Sequence, residues 1–112
     1  MIDLLPKSPL SQVVFVHDYI QLVFDDQCFS IYNPSELRLG SLSFAAGQAG
    51  FCDQLVGLIN QAPIRVVTNG ATSLSISFEK GAELLVSSEG GNGPEAWQTK
   101  TVTGQIIVAQ NL

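Results

Sequence analysis

Few residues in this 112-residue chain are of types that carry out covalent or acid–base chemistry. The single histidine, His17, has Asp18 beside it. Neighbouring residues on a strand point to opposite faces, so the two could cooperate only through a turn. A His–carboxylate relay also needs a nucleophile within hydrogen-bond reach, and no Gly-x-Ser-x-Gly elbow is present. Asp25, Asp26 and Glu79 are a second possibility, since paired carboxylates can divide the roles of general acid and base. That requires two separate turns to meet, and acidic turn residues are otherwise simply solvated. Cys28 and Cys52 have no paired spacing with each other or with His17, so no zinc site is expected. Gly90-Gly91-Asn92-Gly93 is rich in glycine, but no Lys follows it and no helix begins there, so it lacks both parts of a phosphate cradle. It is expected to be a flexible linker. No catalytic residue, metal or cofactor follows from these patterns.

The elements that would position such residues are stated twice. Val13-Val14 answers to Val66-Val67, and Ile20, Leu22 and Phe24 answer to Leu74, Ile76 and Phe78. Alternation is clearest from Thr72 to Phe78, with three apolar residues on one face and three serines on the other, the pattern of a half-buried antiparallel strand. Each trio meets a turn, Asp25-Asp26-Gln27 in the first copy and Glu79-Lys80-Gly81 in the second. The first turn is one residue shorter and has Gln27 where a glycine would be expected, so Phe29 and Ile31 take the places of Leu84 and Val86. An apolar strand precedes each hairpin, Val13 to Val16 or Ile64 to Val67, closed by His17-Asp18 or Asn69-Gly70. The repeats span about 12–32 and 65–87, and each reads as a three-stranded meander. Three strands cannot leave one apolar face wet, so two copies packed face to face are expected.

Between the repeats, Asn33-Pro34 begins a turn and residues 40–50 read as a loop with one short extended piece at Leu42 to Phe44. Asp53 offers an N-cap to a helix over about 53–61, which Pro63 ends. After residues 90–94, a hairpin over about 95–109 turns at Thr103-Gly104, with Trp97 as a core anchor. The expected fold is mainly β: an antiparallel β-sandwich, or a strongly curved sheet, of about eight strands built from two meander repeats, with one short helix between them and a C-terminal hairpin. Strand order is open.

Composition bounds the rest. A chain of this length forms one domain, and 46% hydrophobic with 13% charged residues supplies a core without metal or disulfide. Ten acidic against five basic residues give a net charge of −5, which argues against direct binding of nucleic acid or anionic lipid and is compatible with a basic partner. No signal peptide or membrane-spanning run is visible, and a cytoplasmic location with free thiols is expected.

The doubled phrase, Val-Val followed by Leu-x-Phe-Asp-Asp in the first copy and by Ile-x-Phe-Glu-Lys in the second, the helix between its copies, and Glu95-Ala96-Trp97 before a closing hairpin resemble a family of small β-rich bacterial domains of unassigned activity. Domains of this size, acidity and plan resemble the immunity proteins of polymorphic toxin and contact-dependent growth inhibition systems. The likeness extends from about Gln12 to Ile107. It implies a stoichiometric inhibitor, a monomer or weak dimer, that binds a cognate toxin domain, most readily a basic nuclease. On that reading the partner-binding residues are the acidic and aromatic groups of one rim: Asp25, Asp26, Tyr32, Glu36 and Glu79. The alternative is a non-catalytic structural or regulatory interaction domain that dimerises through a sheet edge or the loop from Leu42 to Phe51, whose neighbouring aromatics are Tyr32, Phe44 and Phe51. A further alternative is an enzyme using Asp25, Asp26 and Glu79, or a small ligand held between the sheets.

Overall fold

The computed structural model describes residues 3–69 and 73–111. Its ten strands are β1 (Gln12–Val16), β2 (Tyr19–Phe24), β3 (Gln27–Ile31), β4 (Ser35–Leu39), β5 (Leu42–Ala45), β6 (Pro63–Asn69), β7 (Ser73–Phe78), β8 (Ala82–Val86), β9 (Glu95–Lys100) and β10 (Ile106–Gln110). One helix, α1 (Phe51–Val56), lies between β5 and β6. The strands form two antiparallel five-stranded sheets, ordered β1-β2-β3-β9-β10 and β5-β4-β8-β7-β6. The expected antiparallel sandwich is therefore the fold, and its core lies between the sheets.

The strand order contains an exchange. Each half of the chain folds as a meander followed by a hairpin, but the hairpin leaves its own meander for the other one. Thus β4-β5 continues the sheet of β6-β8, and β9-β10 continues the sheet of β1-β3. Equivalent inner rows follow from the registers: Val13, Leu22, Phe29, Thr99 and Ile107 across the first sheet, and Val66, Ile76, Leu84, Leu37 and Phe44 across the second. The repeats read from the sequence are repeats of structure, and Phe29 and Leu84 do occupy matching places. Phe24 and Phe78, at the ends of β2 and β7, stack across the sandwich with ring centroids 6.4 Å apart. That stack puts the turns after β2 and β7 at the same end of the molecule, called here the turn end.

Three local expectations are corrected. Ser35–Leu39 is a full strand rather than part of a turn and loop, with Leu37 wholly buried. Leu37 and Leu39 alone give too little apolar alternation to mark it, and its partner β8 lies in the second repeat. The helix begins at Phe51, with Gly50 as N-cap in the left-handed region (φ 92°) and Asp53 inside the first turn. Its buried stripe of Phe51, Leu55 and Leu58 continues past Val56 through single turns such as Leu58 N–H to Leu55 C=O. Gln27 is not a turn residue: it opens β3 facing inward and is 4% exposed. Its Nε2 donates to the Leu4 carbonyl at 2.9 Å and to Thr99 Oγ1 at 3.1 Å. In the second sheet the matching places hold Ala82 and Leu37, so this buried polar pair breaks the internal symmetry and fastens the N-terminal segment to the first sheet. The Asn69-Gly70 turn and Thr72 fall partly or wholly outside the described residues.

Candidate functional site

At the end opposite the Phe24–Phe78 stack, the chain crosses twice between the sheets. Tyr32-Asn33-Pro34 carries it from β3 to β4, and residues 87–94 carry it back from β8 to β9. The two crossings and the β1–β2 turn enclose a cleft of about 650 Å³. His17, Asp18, Tyr19, Tyr32, Asn33, Pro34, Gly90, Asn92, Gly93 and Glu95 are among its lining residues.

Its floor is held by amides. Asn33 is 4% exposed, and its Nδ2 donates to the Ser87 carbonyl and to Asn111 Oδ1, each at 2.9 Å. Asn111 returns the bond to Asn33 Oδ1 at 2.9 Å and also donates to the Gly93 carbonyl at 2.9 Å. A side chain that could bond water is thus fully committed to joining β3, the return crossing and the C-terminal strand. A Cβ on Gly91 would stand 1.9 Å from Asn33 Oδ1, so only glycine lets the backbone come this close. The segment read as a linker is therefore packed against the cleft's central hydrogen bonds.

One wall is aromatic. Val16 pairs with Tyr19 beside the His17-Asp18 turn, and the Tyr19 and Tyr32 rings lie 5.1 Å apart at 44°. Burial, opposed by a Ser30 hydrogen bond and reinforced by the Glu95 carboxylate, pushes the Tyr32 phenol above its ordinary range. Asp18 is exposed and Glu95 half-buried. Neither belongs to an ion pair among the described residues, and no Lys or Arg lines the cleft. The site therefore offers negative charge, two ring faces and fixed polar backbone. His17 and Asp18 occupy an exposed turn, as their adjacency suggested.

The cleft continues onto the outer face of the first sheet. The registers place Val16, Tyr19 and Tyr32 at its border, then a row of Val14, Gln21, Ser30, Gln98 and Val108, then a row of Gln12, Val23, Cys28, Lys100 and Ile106. Lys100 is the one charge in these rows. The outer face of the second sheet is different, with a row of Arg65, Ser77, Glu83, Arg38 and Ser43 beside one of Val67, Ser75, Leu85, Glu36 and Ala45. A face with one lysine among aliphatic and uncharged polar side chains, and two tyrosines at its border, is depleted in charge as interface cores are, whereas interleaved charge is that of a solvated surface.

The five residues expected to form one rim are divided among three places. Asp25, Asp26 and Glu79 share the turn end, where Asp26 Oδ1 accepts from Ser8 Oγ at 3.1 Å and Glu79 Oε2 accepts from the Ala62 N–H. Asp26 and Glu79 are thus bonded to neighbouring segments. Tyr32 lies in the cleft, separated from Asp26 by the whole of β3, roughly 20 Å of strand. Glu36 lies on the charged outer face, where Ser43 donates to it and Arg38 Nε stands 3.3 Å from Oε2. Those contacts, Ser43 first, hold its carboxyl below the usual range. Of the other loop aromatics, Phe51 is buried and Phe44 packs against the core. Tyr19, Asn33 and Glu95 were missed because the cleft joins segments more than 70 residues apart. Among the described residues no group of three or more His, Cys, Asp or Glu side chains is placed to hold a metal ion. Cys28 and Cys52 are free thiols, and no described helix is long and apolar enough to cross a membrane.

Comparison of this chain with protein-family models, with curated proteins and with solved structures gives no match.

Proposed function

We propose that this chain is a stoichiometric protein-binding domain, and that its partner is a cognate toxin domain, a basic nuclease of a contact-dependent growth inhibition system, which it neutralises as an immunity protein. The observation that carries the binding role is the aromatic cleft with two uncompensated carboxylates, bordered by an outer sheet face with a single charge. The choice of a toxin as partner rests on the sequence resemblance and on the net charge of −5.

A molecule of 31 × 30 × 24 Å presents a sheet face of roughly 700–900 Å², close to the ~800 Å² that each partner contributes to a stable complex. The core beneath that face is closely filled, with Leu22, Phe24, Phe29, Ile76, Phe78 and Leu84 all fully buried, so the surface is pre-organised and little ordering is lost on docking. Acidic groups at its border favour encounter with a surface built to grip phosphate. To protect a cell at low copy number the complex needs nanomolar affinity, about −12 kcal/mol, and the half-buried Tyr19 and Tyr32 are anchors that supply more of that than charge does.

The experiment is to express the gene product encoded immediately upstream as an isolated terminal domain and to measure binding by calorimetry and rescue of cell growth. Nanomolar 1:1 binding with rescue supports the reading, and absence of binding overturns it. A second reading is favoured by the sheet edges, where Ile106, Ile64 and Leu42 are 63%, 58% and 60% exposed: self-association by edge pairing. Light scattering separates the two, since a concentration-independent dimer would support the edge.

A further inference from the structure

We infer that the cleft between the two crossings receives an arginine side chain projecting from the partner, with its guanidinium stacked on the Tyr19–Tyr32 wall and bonded to the Glu95 carboxylate. This deepens the binding role proposed above and rests on it. The rings form an accessible pair 5.1 Å apart, and an aromatic face attracts a cation most strongly when the cation is partly desolvated. Glu95 opens β9 opposite Gln110, and Asp18, in the turn between β1 and β2, also lines the cleft. Two carboxylates without a cationic neighbour in a hollow leave an electrostatic vacancy that an incoming positive group fills.

Arginine fits better than lysine. A planar guanidinium can lie flat on a tyrosine and donate in its own plane to a carboxylate, whereas an ammonium has no stacking face. The volume of about 650 Å³ lies within the usual range of ligand pockets and leaves space for backbone on either side of the arginine. The outer hollow of the second sheet does not compete for this ligand, because Arg38 and Arg65 line it. At the turn end Asp26 and Glu79 are bonded to Ser8 and Ala62, and Asp25 lies in an exposed turn that is not among the residues lining the cleft.

The probe is the peptide acetyl-Gly-Arg-Gly-amide, with the citrulline peptide as its uncharged isostere, each titrated into the ¹⁵N-labelled full chain at low salt. The arginine peptide is expected to give saturable amide shifts confined to residues 16–20, 31–34 and 90–95, and the citrulline peptide none that saturate. Glu95→Gln should weaken the arginine peptide about tenfold, and Tyr32→Leu should weaken it without changing the spectrum elsewhere. Equal response to both peptides, or saturable shifts centred on Glu36 or Asp25, would overturn the inference. Failure here is distinguishable from failure of the functional proposal. A toxin domain that binds wild type and Glu95→Gln equally would sink the arginine site alone, whereas peptide binding without toxin binding would leave the site and remove the toxin.

Discussion

Replacing Gly91 by alanine isolates the contact that holds the cleft together. Neither Gly91 nor Gly93 has a positive φ, so alanine is compatible with the backbone at both places and would by itself stabilise by about 0.4–1 kcal/mol through the unfolded chain. The difference lies in what a Cβ meets. At Gly93 nothing lies within 4 Å, while at Gly91 the new atom would sit 1.9 Å from Asn33 Oδ1 and 2.8 Å from Asn111 Nδ2. Neither amide can turn aside cheaply, because together they make four hydrogen bonds at 2.9 Å. Displacing Asn33 breaks three of those bonds, at about 0.5–1.5 kcal/mol each, and leaves polar atoms of a nearly buried side chain without partners. The net cost expected for Gly91→Ala is about 2–4 kcal/mol. With an m-value of about 1.3 kcal/mol/M for a domain of this size, the urea midpoint should fall by roughly 1.5–3 M, while Gly93→Ala should stay level or rise slightly. Urea melts followed by tryptophan fluorescence read the unfolding, since Trp97 is the only tryptophan and is buried. Equal midpoints for the two variants would refute the claim that the glycine-rich crossing is packed onto the amide pair.

Other consequences are checkable separately. Phe24→Ala, which removes one ring of the stack joining the sheets, should cost about 3–5 kcal/mol in a denaturant melt, and so should Phe78→Ala. A thiol reagent should modify exposed Cys52 several-fold faster than Cys28, whose thiol is pushed up mainly by burial, as mass spectrometry of a timed labelling would show. Ser43→Ala should move the Glu36 pKa upward in an NMR titration, because the Ser43 hydrogen bond is the leading cause of its depression. The sign for stability follows: a depressed carboxyl contributes above its unfolded pKa, and that contribution is lost as pH falls through the folded pKa. The variant should therefore lose less stability than wild type on acidification, with a small effect because the group is solvated.

The part of the fold governed by local alternation was legible in the sequence. Leu74, Ile76 and Phe78, and their counterparts Ile20, Leu22 and Phe24, each carry a period-two signal within one segment, and a sheet face so marked must be covered. The exchange of hairpins was not legible, because β4 and β9 pair with strands of the other repeat and no local pattern says which meander a hairpin will join. Gln27 reads as a turn residue because it follows two aspartates; inside, its Nε2 is met by Thr99 and the Leu4 carbonyl, while its buried Oε1 has no partner. The candidate site suffered from the same non-locality. The sequence left open whether the turns carrying Asp25, Asp26 and Glu79 meet, and the Phe24–Phe78 stack puts those turns at one end. Tyr32 and Glu36 could not be located until the crossing at Asn33-Pro34 was known. The cleft is made by that crossing and its counterpart, so each half of the site lacks meaning without the other.

On the function proposed above, a partner docks at the crossing end and on the outer face of the first sheet, where Lys100 is the one charge. Hydrogen exchange on the full chain, alone and with the cognate toxin domain, tests it most directly. New protection is expected at residues 16–20, 31–34 and 90–95, with little change at Asp25-Asp26 and Glu79. Protection confined to the turn end, or to the charged face around Glu36 and Arg38, would contradict it.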